Sequence, residues 1–594
     1  RPDLARTRHA GASDALSAHA VSAAGTGTGS RRRFSQTRAP SASDEVRSAR
    51  FLEHPLRFAR WAALPFALVY LILMAHRLEG AIVSTNLDAD AASAPVISQL
   101  FGVAPAHANV VLGEFGWYAT LLFDLATKWL PHHRQVWEGA PYAMALAGAG
   151  LAASSVWQVA GKWAAGLCAV LLICASPATV GLLLSTTQHA PDWFCLALLG
   201  AFLVVLERRA TTLPWPLLAA LVLVIGTIVG VNAGSDPLAA LAAVAPFALA
   251  LIATALLVPG RHSRRALWTG VATLATIAIA WASTAIVMSA LSVAPEPGLD
   301  TTTLTLGTKT GTNFHLWWKS IVVLGNGKYL GRPSALGSAL AFVCAVLSIA
   351  AVVSLPWLGW RALRRRNRGT GDSPVGTSTD ALTAATKAFY VFWCSSAIVL
   401  TLAFLFSAAP VDIGADRYLV GLLYAAAAVV PAAAAGHRRI EAAVLAGTCL
   451  FALGGIVSLA DGATSRLRAF HPPPLTASQA QQVAQIAARH HLSIGYAGYW
   501  EAAPITWATA FRVEVYPVSV CNGGANLCRF DLHFISSWYE PRAHVDSFLL
   551  VDDLTNESIN APTPDLGRPV AVYRIGQLAM YAYGYDIATK VKVT

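Results

Sequence analysis

Eleven apolar stretches, most of them close to twenty residues long, recur along this chain. The hydrocarbon core of a bilayer is about 30 Å thick, and a helix rising 1.5 Å per residue needs about 20 apolar residues to cross it. The stretches fall near 61–77, 136–158, 163–184, 192–206, 213–231, 237–258, 266–292, 335–358, 384–408, 418–435 and 440–460. Each is read as a transmembrane helix, the fourth being short. Charge is correspondingly scarce: 13% of the residues are charged and 55% are apolar, where a soluble domain carries roughly 25% charged residues. The net charge of +11 does not point to nucleic acid, because the arginines sit in the N-terminal arm and in short loops between apolar runs. Basic residues placed there set membrane orientation. The expected partner is the lipid bilayer.

Their distribution gives the topology. Arg47, Arg50, Arg57 and Arg60 precede the first run. The even-numbered connections then carry Lys162; Arg208 and Arg209; Arg261, Arg264 and Arg265; Arg361, Arg364, Arg365, Arg366 and Arg368; and Arg438 and Arg439. Three short odd-numbered connections, at 185–191, 232–236 and 409–417, hold only Arg417. The positive-inside rule therefore puts the N-terminus in the cytoplasm, and an odd number of spans puts the C-terminal region outside, in a multi-pass protein of the cytoplasmic membrane. The expected organisation is a disordered arm over 1–50, with no cleavable signal peptide evident, then a transmembrane domain over 51–462 with long external loops at 78–135 and 293–334. An extracytoplasmic domain follows over 463–594.

That last domain reads as α/β. Helical character over 476–490 and 500–510 alternates with strand-like runs at 493–497, 513–518, 547–551 and 570–575. It contains no GxGxxG or P-loop, so nucleotide binding has no support. Six cysteines (Cys168, Cys174, Cys195, Cys344, Cys394 and Cys449) lie in apolar runs and read as small buried hydrophobes. Cys521 and Cys528 lie in the C-terminal domain with no second pair to complete a structural zinc site, and an oxidising compartment favours a disulfide. The long loops hold amphipathic segments, 110–129 and 313–324. The second places Phe314, Trp317, Trp318, Ile321 and Val322 on one side, as expected of a helix lying in the interface or packed on the bundle.

The span interiors are nearly empty of ionisable groups, which argues against an ion-coupled transporter. The polar residues collect at the external ends. Asn86-Leu87-Asp88-Ala89-Asp90 puts two carboxylates ten residues after the first run, suited to a general base with a second acid, or to metal ligation. Spacing alone fits two solvated aspartates equally. Gln188-His189-Ala190-Pro191-Asp192-Trp193 forms a tight external turn, in which His189 and Asp192 are candidates for substrate contact and helix capping is the alternative for Asp192. Glu114, Trp117 and Tyr118 are candidates for a sugar site or for packing of the loop helix. Lys309, Lys319, Lys328 and Arg332 run against the orientation rule in the second long loop, where they could meet phosphate, lipid headgroups or solvent. A late motif, Ala415-Asp416-Arg417-Tyr418, stands at the external end of a span.

An acidic motif in a long first external loop, amphipathic external helices, many spans, an Arg-Tyr pair late in the chain and a C-terminal external domain together resemble the GT-C superfamily of membrane glycosyltransferases. That group includes the protein O-mannosyltransferases and the aminoarabinose lipid A transferases. The resemblance implies a polyprenyl-phosphate-linked sugar donor and transfer to an acceptor hydroxyl at the external membrane face. It implies a carboxylate base, Asp88 by its position in the related families with Asp90 as the alternative, and Arg417 on the donor phosphate, with Lys309 and Lys319 in reserve and Tyr418 beside the substrate. The segment GYAGYWEAAPITWATAFRVEVYPV matches neither named family, and the acceptor, whether glycan, lipid or protein, stays open. So does the need for a metal, with a divalent cation the candidate cofactor. The alternatives are a lipid or polysaccharide transporter and a non-catalytic membrane scaffold.

Overall fold

The computed structural model describes residues 61–592, apart from 88, 102–109, 113–116, 132, 185–188, 258–260, 296–304, 306, 308, 328–333, 365–376, 461–474, 522–523 and 553–558. Helices dominate. In chain order they are α1 (Leu64–Asn86), α2 (Ala89–Phe101), α3 (Trp117–Thr127), α4 (His133–Ala160), α5 (Lys162–Ile173), α6 (Pro177–Leu183), α7 (Ala190–Arg209), α8 (Trp215–Ser235) and α9 (Pro237–Leu257). They continue with α10 (Arg261–Ala290), α11 (Thr310–Leu324), α12 (Ala335–Arg364), α13 (Thr377–Phe406), α14 (Val420–Ala434, entered through a 3-10 turn at Ile413–Leu419) and α15 (Arg438–Ala460). Among the described residues, nine helices are individually long and apolar enough to cross a bilayer. The bent pair α5–α6 has the length and composition of a tenth span if taken as one, and α1 adds a shorter apolar stretch, Leu64–His76. The chain is a polytopic α-helical membrane protein with a small C-terminal sheet region.

The third run is not the straight helix expected from 163–184: α5 and α6 meet at 89°. Pro177 has no N–H to continue the ladder, so it starts a new helix, and the Ser176 hydroxyl caps it by accepting from the Thr179 amide at 3.1 Å. The carbonyls freed at the break find donors elsewhere. Tyr70 donates to the Ala175 oxygen at 2.7 Å and Asn326 to the Cys174 oxygen at 2.9 Å, as irregular backbone between packed helices requires.

Small residues bring α8 and α10 together. Gly226, Gly230 and Gly234 repeat every four residues along one face of α8. A Cβ at Gly230 would sit 2.5 Å from the Ile277 oxygen and 2.6 Å from the Ala280 Cβ. The helices therefore pack backbone to backbone, which fixes the end of α8 carrying Asn232. Gly230→Val should lower the thermal midpoint of the detergent-solubilised protein markedly, since forced overpacking costs roughly 1–3 kcal/mol; an unchanged midpoint would contradict this packing.

The C-terminal region contains helices α16 (Ala477–Arg489) and α17 (Tyr499–Ala508) and a six-stranded sheet. Its strands, numbered after β1 (Val110–Leu112) and β2 (Val293–Pro295) in the long loops, are β3 (Ile494–Ala497), β4 (Glu514–Val520), β5 (Leu527–Arg529), β7 (Ser547–Val551), β8 (Ala571–Ile575) and β9 (Leu578–Tyr583), in the order β5-β4-β3-β7-β9-β8. The central strand β3 is parallel to β4 and β7, and α17 makes the β3-to-β4 crossover. Alternation along β7 sends Phe548 and Leu550 to a core under α16, and Leu549 and Val551 to the opposite face. Cys521 and Cys528 form a disulfide, with Cα atoms 5.1 Å apart.

That opposite face is covered by the first loop. Ala92, Ala94, Val96 and Ile97 of α2 share one core with Tyr496, Trp507, Tyr516, Trp538 and Leu549. A second, three-stranded sheet ties the parts together: β1 pairs with β2 and with β6 (Phe534–Ile535). The loops after the first and seventh runs and the C-terminal region therefore meet at one end of the bundle. Helix α11 both packs and exposes. Leu316, Ser320, Ile321 and Leu324 are buried against the bundle, whereas Phe314 and Trp318 are exposed. The expected single apolar side is thus split between Ile321 and these aromatics.

Candidate active site

At that same end, polar side chains from four connections converge. Asp90 opens α2, where the helix N-terminus favours a carboxylate. Its Oδ1 accepts a hydrogen bond from the Tyr499 hydroxyl of α17 at 2.7 Å. The Tyr499 ring stacks on Phe530, centroids 4.8 Å apart, and on His533 at 5.7 Å. Burial pushes the His533 imidazole down to about 3, so the ring against Tyr499 is neutral.

Arg417 lies in the 3-10 turn before α14. Its Nη2 donates to the Tyr418 hydroxyl at 3.3 Å, and the carboxylates of Asp90 and buried Asp416 both act on its charge. Two elements far apart in sequence, the first long loop and the turn after the ninth span, thus place an acid and a guanidinium within mutual electrostatic range. Tyr418 then joins a third group: its ring lies 5.1 Å from the His189 ring.

His189 caps the start of α7 in a left-handed conformation, φ 64°, a region His tolerates better than most residues. Its Nδ1 meets Asp192 Oδ2 at 3.1 Å and also Asp236 Oδ2. Asp192 is not a helix cap: its other oxygen accepts from the Asn232 amide of α8. The capping role belongs to Asp236, whose Oδ1 accepts from the Leu238 amide at 2.9 Å ahead of Pro237. Burial opposes the His189 charge, but Asp236 and Asp192 outweigh it and push the group up to about 10. The two acids thus favour the imidazolium form of His189. Of the described residues, these three could hold a divalent cation, since their ligand atoms lie within 4.8 Å of one another. One nitrogen and two carboxylate oxygens suit such an ion, which would have to displace the His189 proton.

The remaining candidates are not gathered here. Lys309 and Lys319 are exposed, Lys319 on the face of α11 turned away from its packed side. Trp117 and Tyr118 open α3, but their side chains, together with Asp88, Glu114, Lys328 and Arg332, lie outside the described residues. Asp236 is the member that the sequence motifs did not mark; Tyr499, with Trp500, Glu501, Trp538 and Tyr539, reads from the sequence either as an acceptor-recognition surface or as core aromatics. Asp236-Pro237 at the start of a span is a recognisable cap signal; nothing local in the sequence pairs Tyr499 with Asp90.

Helices α5, α11, α12, α14 and α15 line a half-open apolar cavity of about 320 Å³, with Ile321, Leu324, Val352, Leu422, Ala426 and Phe451 on its wall. Leu422 follows Arg417 by little more than a helical turn.

The architecture is similar to that of a known solved structure. Over 86% of this chain and 97% of the other, it is similar to ArnT from Cupriavidus metallidurans bound to undecaprenyl phosphate, with a TM-score of 0.50 at 12% identity. The chain has the GT-C fold. The apo form of ArnT gives a TM-score of 0.43 over the same shares of the two chains, also at 12% identity. An oligosaccharyltransferase from Archaeoglobus fulgidus, tethered with an acceptor peptide, gives 0.39 at 12% identity over 83% of this chain and 69% of that one. No protein-family model and no curated protein sequence matches. On this GT-C frame, the cluster of Asp90, Arg417, Tyr418 and His189 lies where the long loops and the C-terminal region meet the bundle.

Proposed function

We propose that the protein is a glycosyltransferase that moves a sugar from a polyprenyl-phosphate-linked donor to an acceptor hydroxyl at the external face of the cytoplasmic membrane. What supports this is a GT-C fold in which the charges of Asp90 and Arg417 interact, with an apolar cavity lined by Leu422 little more than a turn beyond Arg417. The donor's phosphate meets the Arg417 guanidinium, whose fork can hold phosphate oxygens bidentately, and its isoprenoid tail descends into the cavity. Asp88 or Asp90 takes the proton from the acceptor hydroxyl as its oxygen attacks the anomeric carbon. The C1–O bond to phosphate breaks, and Arg417 stabilises the charge that grows on the leaving phosphate. Tyr418 holds the Arg417 fork, and the His189 cluster backs Tyr418.

The headgroup requirement is testable by native mass spectrometry. Undecaprenyl phosphate should be retained by the purified protein and undecaprenol should not; equal retention of the two would remove the phosphate from the recognition. Orientation has its own check. Reporter fusions at Arg366 and near Asp552 should report opposite sides of the membrane, with Asp552 outside. The same side for both would sink the external site.

A further inference from the structure

The C-terminal region shares a core with the first loop, and one polar contact between them reaches the chemistry. Helix α2 carries Asp90 on its first turn and buries Ala92, Ala94, Val96 and Ile97 against the core that contains Ala503 and Trp507 of α17. The N-terminal residue of α17 is Tyr499. Its ring is clamped between Phe530 and His533, so its hydroxyl is presented to Asp90 Oδ1 at 2.7 Å from a fixed platform.

We propose that Tyr499 is a positioning residue for the Asp90 carboxylate, so that the C-terminal domain completes the acceptor side of the active site. This rests on the transferase reading above. A carboxylate on a short side chain rotates freely about its terminal bond unless a partner holds it. The Tyr499 hydroxyl donates to Oδ1 and holds the carboxylate in place for the acceptor's proton. The attraction of Arg417 would otherwise draw the carboxylate toward the donor phosphate site; the Tyr499 hydroxyl holds it back. Proton transfer needs the base within hydrogen-bond reach of its hydroxyl, and small displacements of a catalytic group cost large factors in rate. The domain's docking would thereby be coupled to turnover by a single hydroxyl.

The test uses the full-length protein in nanodiscs with a panel of undecaprenyl-phosphate-linked pentoses and hexoses, reading sugar release to water as well as transfer. Tyr499→Phe keeps the ring and its stacking and removes only the hydroxyl. It should lower kcat about 10-fold and leave the donor KM unchanged. In the Asp90→Asn background the same change should have no further effect, because the hydroxyl acts through that carboxylate. Destabilisation of the fold would instead lower the rate equally in both backgrounds, and that result overturns the proposal. So does a Tyr499→Phe protein with parental kcat while Asp90→Asn is impaired, an outcome that leaves the transferase reading intact. Full activity in Asp90→Asn, or no sugar release by the parent from any donor of the panel, would remove the transferase role of Asp90 and this inference with it.

Discussion

Asp90→Asn is expected to cut sugar transfer by about 10²-fold or more, the usual range for loss of a general base. Asn keeps the shape of the side chain and can still accept from the Tyr499 hydroxyl, so the contact between α2 and α17 should survive. What goes is the negative charge and the site for the acceptor's proton. Undecaprenyl phosphate binding should change little, and loss of the charge that faces Arg417 should if anything favour the anionic headgroup. Asp88 is two residues away and is the other candidate for the base. The two single variants therefore need to be compared: the base is the position whose Asn form loses kcat without loss of donor binding. Comparable small effects at both would mean that neither carboxylate takes the proton.

Arg417→Ala should fail differently. A charge-assisted hydrogen bond contributes about 1.5–3 kcal/mol, which corresponds to roughly 10- to 150-fold in affinity. The phosphate contact exists in the ground state and strengthens in the transition state, so both undecaprenyl phosphate affinity and kcat should fall. Arg417→Lys should recover only part of the loss, because a point charge cannot reproduce the fork that binds two oxygens at once. The variants must be checked for folding, since Asp416 is fully buried beside Arg417. A melt unchanged from the parent, with binding of undecaprenyl phosphate intact, would place the headgroup elsewhere; exposed Lys309 and Lys319 would then be the next basic residues to replace.

The bundle was legible because hydrocarbon imposes so strict a length and composition on a crossing segment. The apolar runs and the alternation of basic residues are both one-dimensional signals. The break in the third run went unread: Ser176-Pro177 lies inside an unbroken apolar stretch, and the bend is held by Tyr70 and Asn326, which donate to the exposed backbone carbonyls. In the C-terminal domain the runs at 493–497, 513–518, 547–551 and 570–575 correspond to β3, β4, β7 and β8. The strands that went unread are β1, β2, β5 and β6, which have two or three residues each, and β9, beyond the last run read as a strand. Strands so short carry no periodicity, and their pairing joins positions 110, 293 and 535.

The site divides in the same way. Asp90, His189, Asp192 and Arg417 stood out as polar residues at span ends. Asp236 looked like an ordinary turn residue until α8 and α10 packed through Gly226, Gly230 and Gly234 and carried its helix end to His189. Tyr499 read either as part of an acceptor-recognition surface or as a core aromatic, and it is largely buried, as are Trp538 and Tyr539. Only its hydroxyl distinguishes it, and the partner of that hydroxyl lies more than four hundred residues earlier. Short motifs mark where chemistry can occur; which of them share a site is a property of the packing.

The central claim is that the acid of the first loop and the arginine of the late turn serve one glycosyl transfer. The most direct measurement is the release of labelled sugar from undecaprenyl-phosphate-linked donors by purified parent protein, set against the Asp88→Asn, Asp90→Asn double variant. The account predicts release by the parent from at least one donor, and a loss of about 10²-fold or more in the double variant, with undecaprenyl phosphate still bound. Equal release by both proteins, or none by the parent from any donor, would contradict it.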